Sequence, residues 1–255
     1  MVNHFQFSYN EPFGHNRKSS IHNLQSHAMH AGRIAELLHP FLTADVELAK
    51  GATATTLSPT QLQNISTYIN VLLRWNAHVN LTAVRNPEEI VTRHFGESLF
   101  AARNLFPVPN ENRDVQLIDV GSGAGFPGLP IKLWAPHSRM TLIESNQKKV
   151  TFLREVIRAL NLSDAEVFSG RAEAFDPAGK ERADWVTLRA VERFDTILPL
   201  AATFSKRSGH LAIFIGKGQV ERAHQLTPGV TWGEPLTIPL SFGRTLILGR
   251  KESPQ

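Results

Sequence analysis

The spacing of apolar residues changes once along the chain, near residue 107. Before that point apolar side chains recur at three- and four-residue intervals, the period of a helix with one buried face. Ile34, Leu37, Leu38, Phe41 and Leu42 predict a short amphipathic helix within 31–48. Leu62, Ile65, Ile69, Leu72 and Leu73 predict a second. Its start is marked by Ser58, a capping residue, and Pro59, whose fixed φ suits the first helical position. Asn86-Pro87-Glu88-Glu89 marks a third start, with two acids at the positive end of the helix dipole. Ile90, Val91, Phe95, Leu99 and Leu105 give that helix its buried face. After Pro107 and Pro109 the pattern becomes short apolar runs alternating with amphipathic ones. It predicts strands near 115–120, 140–144, 165–169, 184–188 and 210–216, and helices near 128–135, 147–160, 194–206 and 217–226. Two last strands, 235–241 and 244–250, are expected to pair around Phe242-Gly243 as an antiparallel edge. Alternation of this kind means an α/β fold with a mostly parallel sheet covered on both faces.

The expected organisation is a tail over 1–30, a helical region over 31–109 and an α/β domain over 110–255. The tail is polar and aperiodic, the composition of a segment without a packed core. Six of the eleven histidines lie before Phe41, but their spacing fits no metal-ligand pattern, so no metal site is expected. The chain contains no cysteine. Disulfides, thiolate zinc sites and cysteine nucleophiles are thereby excluded, and a reducing cytoplasm is the expected compartment. No apolar run approaches the roughly 20 residues of a membrane span, and no apolar heptad or strand calls for oligomerisation, so a monomer is expected. The net charge of +4 permits a polyanionic partner without requiring one.

The chemistry concentrates where the first strand meets its helix, in Asp119-Val120-Gly121-Ser122-Gly123-Ala124-Gly125-Phe126-Pro127-Gly128. Glycines let a backbone turn sharply and approach a ligand, and in an open parallel sheet ligands bind beyond the C-terminal strand ends. The loop reads in two registers. From Gly121 it is GxGxG, the form that binds S-adenosylmethionine. From Gly123 it is GxGxxG, the dinucleotide form. The glycines alone do not decide. Asp119 leans toward S-adenosylmethionine, since a carboxylate there is suited to the cationic end of methionine and would repel a pyrophosphate. Phe126 adds an apolar contact. Glu144 ends the second strand about 20 residues on, where a carboxylate accepts from ribose hydroxyls, and Ser145 and Asn146 share that rim. Ala172 and Glu173 follow the third strand, where an adenine would lie. Arg189 leaves the fourth strand beside the expected reacting centre, suited to the cofactor or to an RNA phosphate.

Together these residues resemble the bacterial 16S rRNA guanine-N7 methyltransferase family, also called the glucose-inhibited division protein B family. The resemblance covers roughly Leu57 to Gln225. It rests on Trp75-Asn76, Asn80-Leu81-Thr82-Ala83-Val84-Arg85, Arg93-His94-Phe95, Glu97-Ser98-Leu99, the glycine loop, Lys148-Lys149-Val150, Arg171 to Glu173 and Arg189-Ala190. It implies a Rossmann-like class I S-adenosylmethionine-dependent methyltransferase sheet preceded by a small helical N-terminal region. It also implies S-adenosylmethionine as methyl donor and 16S rRNA or the small ribosomal subunit as partner. It carries cofactor contacts over to Gly121, Phe126, Glu144, Ser145, Asn146, Ala172, Glu173 and Arg189, and the reading of the loop itself adds Asp119, Gly123 and Gly125 as cofactor-binding residues. Candidate RNA contacts are Arg85, Arg93, His94, Lys148, Lys149, Arg189 and Arg193. Glu144 and Leu188 depart from the family, whose members often carry Asp and Ser there. Guanine N7 holds a free lone pair, so its methylation calls for alignment and no general acid or base. Three other readings remain: a methyltransferase with a different acceptor, a nicotinamide-dependent oxidoreductase, and an RNA-binding protein without turnover.

Overall fold

The computed structural model describes residues 29–43, 56–107, 114–176 and 182–252. Most of the polar tail expected over 1–30 lies outside these residues. The helical region consists of α1 (Ala31–Thr43), α2 (Pro59–Asn76), a single turn α3 (Pro87–Ile90), a π-helical turn (Val91–Gly96) and α4 (Glu97–Leu105). The starts written in the sequence are made as chemistry. The Ser58 hydroxyl accepts from Gln61 N while the Gln61 side chain accepts from Ser58 N, the reciprocal box that satisfies two free donors. Asn86 accepts from the N–H groups of Glu88 and Glu89. The third predicted helix differs in its middle, where the six residues Val91–Gly96 widen to π geometry. Such turns are frequent at functional sites.

The sheet comprises β1 (Gln116–Val120), β2 (Arg139–Glu144), β3 (Ala165–Ser169), β4 (Ala183–Arg189), β5 (Ser205–Gly216), β6 (Val230–Trp232), β7 (Leu236–Thr237) and β8 (Arg244–Lys251). Helices α5 (Gly128–Trp134), α6 (Gln147–Ala159), α7 (Phe194–Phe204) and α8 (Val220–Leu226) alternate with the strands. The strand order is β3-β2-β1-β4-β5-β8-β6, with β7 pairing β8. Strands β1 to β5 run parallel, and β8 runs antiparallel to β5, β6 and β7. This is the expected Rossmann-like, mostly parallel α/β sheet.

The C-terminal hairpin needs correction. Its first arm shrinks to Leu236–Thr237. Pro239 has no N–H for a ladder, and Leu240 turns left-handed at φ 55°. The second arm, β8, is internal, and the short β6 lies outside it. No helix among the described residues is long and apolar enough to cross a membrane.

One hydrophobic cluster spans both regions. Ile34, Ile65, Tyr68, Phe95 and Phe100 from the helical region pack with Phe126, Leu129, Trp134 and Phe152 from one face of the sheet. The Trp134 indole donates to the Phe106 carbonyl at 3.0 Å. A second cluster, including Val186, Leu198, Phe204, Leu211 and Ile247, fills the opposite face. The helical layer is thereby seated against the backbone of the glycine loop.

Candidate active site

A cavity of about 730 Å³ opens beyond the C-terminal ends of β1, β2 and β4. The glycine loop forms one wall. Gly121, Gly123 and Gly125 have φ of 70°, 57° and 83°, the left-handed region that side chains disfavour. Gly125 also has no room for one: a Cβ there would come within 2.3 Å of the Tyr68 hydroxyl. That hydroxyl donates to the Ala124 carbonyl at 2.5 Å. The Tyr68 ring stacks on Phe126, with centroids 5.3 Å apart, and Phe95 meets both edge-on. The loop is thus held from behind by α2.

Two expected residues lie behind this wall. Asp119 is fully buried. Its carboxylate accepts from the Thr187 hydroxyl at 2.7 Å and from Gly128 N at 3.3 Å. Burial pushes it up to about 6, opposed by those donors. It pins the loop to β4 and does not face the cavity, contrary to the expectation that it meets a cationic ligand. Gly125 is likewise absent from the lining. The cavity is lined by the other expected cofactor positions: Gly121, Gly123, Phe126, Glu144, Ser145, Asn146, Ala172, Glu173 and Arg189.

Glu144 is held from both sides, accepting from Gly123 N at 2.9 Å and Asn146 N at 2.7 Å. Each carboxylate oxygen keeps further acceptor capacity. The Asn146 side chain is committed to capping α6 through Lys148 N and Lys149 N. Glu173 forms an ion pair with Arg193 at 2.7 Å. The intervening turn is unusual: Ala190 and Arg193 have φ of 50° and 52°, conformations that cost about 1–3 kcal/mol each and cluster at functional sites.

The opposite end is cationic. Arg189 is 7% exposed and Glu97 is 2% exposed. Arg189 Nη2 lies 3.0 Å from Glu97 Oε2 and donates to the Arg93 carbonyl at 2.6 Å. Arg244 Nη2 donates to Glu97 Oε1 at 2.8 Å. Two arginines thus share one carboxylate, leaving a net positive charge. Burial pulls Arg189 down to about 10 against the attraction of Glu97, so it stays cationic at neutral pH. Its Nη1 is buried without a hydrogen-bond partner among the described residues. Such a donor is costly to leave unmade.

His94 stands between these groups. Its ring stacks on Phe126 at 4.8 Å. Nδ1 lies 3.3 Å from Arg189 Nη2, and Nε2 lies 2.8 Å from the Thr82 hydroxyl. An arginine can only donate, so Nδ1 accepts and the proton belongs on Nε2. Burial first, then Arg189, Arg244 and Arg93, push His94 down to about 3. Thr82 is fixed by Asn76, which accepts from Leu81 N and Thr82 N and donates to the Thr82 carbonyl.

Of the RNA candidates, His94, Lys149, Arg189 and Arg193 line the cavity, whereas Arg85, Arg93 and Lys148 are exposed outside it. Sequence reasoning missed Arg244 and Thr82 as lining residues. It also missed the ionic role of Glu97. Arg244 had no signal, because only the antiparallel return of β8 brings it to the cavity. Glu97 was visible only as part of a motif. No group of three metal-ligating side chains occurs among the described residues.

The sheet order and the strand-end cavity define a Rossmann-like α/β protein with its ligand site beyond the strand ends. A model of the family rRNA small subunit methyltransferase G matches residues 61–232, and the chain belongs to that family. It is similar to Ribosomal RNA small subunit methyltransferase G of Roseiflexus sp. (strain RS-1), 39% identical over 207 residues, covering 78% of this chain and 86% of that one. The protein of the same name from Xylella fastidiosa (strain 9a5c) is 36% identical over 217 residues, 84% and 97% of the two chains. That from Dictyoglomus thermophilum is 40% identical over 163 residues, 63% of this chain and 65% of the other. Among solved structures, the YcgJ protein of Bacillus subtilis superposes with a TM-score of 0.50 at 11% identity. It covers 63% of this chain and all of its own, a likeness of fold alone. Family membership bears out the resemblance read from the motifs and removes the nicotinamide reading of the glycine loop.

Proposed function

We propose that this chain transfers a methyl group from S-adenosylmethionine to N7 of one guanine in 16S rRNA, as a cytoplasmic monomer acting on the rRNA or the small subunit. The observation that carries the reading is the split polarity of the cavity. A carboxylate fixed by two backbone N–H groups stands at one end, and a buried arginine with an unpaired donor stands at the other. The fit to this cofactor is direct. Glu144, with Ser145 and Asn146 on the same rim, would take the ribose hydroxyls. Ala172 and Glu173 would meet the adenine, with Glu173 sharing its carboxylate between the base and Arg193. Arg189 would take the methionine carboxylate. The backbone of Gly121 and Gly123 and the ring of Phe126 would close the loop side. Asp119 and Gly125 act from behind, by holding that loop. When bound, the cofactor supplies an electrophilic sulfonium methyl.

N7 of guanine carries a lone pair and no proton, so the chain contributes position and not proton transfer. His94 suits this. It is neutral at physiological pH, both ring nitrogens are engaged, and its face is committed to Phe126. It shapes the site and presents no free base. The target base must leave its stack to bring N7 into a cavity beyond the strand ends. Arg85, Arg93, Lys148, Lys149 and Arg193 would hold the flanking phosphates.

The test is transfer of labelled methyl from S-adenosylmethionine to small-subunit rRNA lacking its N7-methylguanine, mapped by cleavage at the modified base. Label at a single guanine is the expected outcome. Cofactor binding without label in this rRNA would overturn the acceptor, and absence of cofactor binding would overturn the pocket assignment.

A further inference from the structure

Two large apolar side chains are exposed among the described residues, Leu240 at 65% and Phe242 at 100%. Both lie in the turn between β7 and β8. Their neighbours Ile238 and Leu246 are buried, so the turn does not lack a core to join. The backbone lifts it away, with Leu240 at φ 55° and Gly243 at φ 85°. At its root the turn is tied to the charged end of the cavity. Ser241 Oγ donates to Glu97 Oε1 at 3.2 Å, and Arg244 donates to the same oxygen. Glu97 in turn pairs with Arg189. Phe242 is therefore an aromatic ring on an anchored post, two residues from an arginine of the cavity wall.

We propose that Phe242 is a stacking platform for an unpaired RNA base next to the methyl-accepting nucleotide. The proposal rests on the reading that the substrate is RNA. One phenylalanine and one leucine are too small for a specific protein interface, which needs about 800 Å² per partner. A nucleobase is matched in size and presents a π-face to any aromatic ring. The charge beside the ring also fits. Arg244, partly exposed and two residues from Phe242, lines the cavity and shares the Glu97 carboxylate with Arg189. A cation beside an aromatic platform is the pairing that single-stranded nucleic acid requires. A base stacked on this ring would hold the strand while its neighbour enters the cavity.

The test uses the full chain with Phe242→Ala and Phe242→Trp. It measures binding of unmethylated 16S rRNA, methyl transfer to it, and S-adenosylmethionine affinity by calorimetry. Phe242→Ala is expected to weaken rRNA binding by about 5- to 150-fold. Cofactor affinity and melting temperature should be unchanged, and Phe242→Trp should retain wild-type binding. Unaltered rRNA affinity in Phe242→Ala overturns the platform, as does equal loss in both variants. A wild-type dimer in sedimentation that Phe242→Ala dissociates also overturns it, and assigns the ring to a second copy of the chain. Phe242-dependent RNA binding without methylation of this guanine would keep the platform and sink the acceptor assignment. Methylation with no dependence on Phe242 would do the reverse.

Discussion

At the scale of single residues, adjacent glycines of one loop serve different ends. Gly123 and Gly125 both have positive φ, but a Cβ on Gly123 would make only an ordinary contact, 3.8 Å from the Gly121 carbonyl oxygen, while on Gly125 it meets Tyr68 and Leu129. Gly123→Ala should therefore cost only left-handed strain, about 1–2 kcal/mol. Gly125→Ala should add overpacking of about 1–3 kcal/mol. Urea unfolding of both variants checks this, and equal losses would contradict the packing account. His94 gives a pH signature. Its folded value is depressed from 6.5 to about 3. Stability from the neutral ring is then full above pH 6.5 and is lost as pH falls toward 3, by about 1.4 kcal/mol per unit. A His94→Gln variant does not titrate, so the wild-type advantage over it should shrink by about 2 kcal/mol between pH 6.5 and pH 5. A constant gap across that window would show that His94 is not held neutral. Legibility at this scale was uneven. Glu144 announced itself by its distance from the loop. Asp119 did not reveal that it faces inward, because alternation along a strand buried on both faces does not distinguish a cavity side from a core side.

At the scale of elements, α2 and α4 act on the site without lining much of it. Tyr68 reaches from α2 to the Ala124 carbonyl, and that acceptor is buried. Tyr68→Phe should cost about 1–3 kcal/mol by leaving it unpaired, with weaker cofactor binding because the loop loses its brace. Thermal melts and cofactor titration would show this, and a loop indifferent to the hydroxyl would leave both unchanged. Glu97 on α4 joins β4 through Arg189 and β8 through Arg244. Glu97→Gln removes a buried charge facing two arginines and should cost about 3–5 kcal/mol, whereas Glu97→Asp should keep part of the pairing. Destabilisation below 1 kcal/mol in the glutamine variant would deny the ionic role. The sequence marked α2 and α3 accurately at their starts, where capping is local, and gave no sign of the separate start of α4, which no side chain caps. It did not foresee the π-helical turn or the shortened β7. Both answer to tertiary demands: placing His94 over Phe126, and turning the chain at Pro239.

At the scale of the whole molecule, the alternation of short runs was sufficient to foresee the parallel sheet, and the strand-end rule located the cavity. The antiparallel order β5-β8-β6 was less legible. A three-residue strand carries little periodic signal, and its place in a sheet depends on pairings far apart in sequence. The hydrophobic cluster crosses between the helical region and the sheet. A chain starting at Asp114 should accordingly expose the faces of Leu129, Trp134 and Phe152 and fail to fold cooperatively. Circular dichroism melts of such a truncation would test this, and a sharp transition would show that the sheet domain stands alone.

The cavity draws its walls from both regions, with Leu81, Thr82 and His94 facing Gly121 to Ala124. A molecule held there adds a bridge between two parts of the chain that are otherwise joined by packing, by the ion pairs of Glu97 and by the hydrogen bonds of Tyr68 and Trp134. Occupancy then becomes a fastener. Amide protons of α2 and α4 should exchange more slowly as the ligand concentration rises, in step with its mass action. A protease acting on the N-terminal helices would in effect read how full the cavity is.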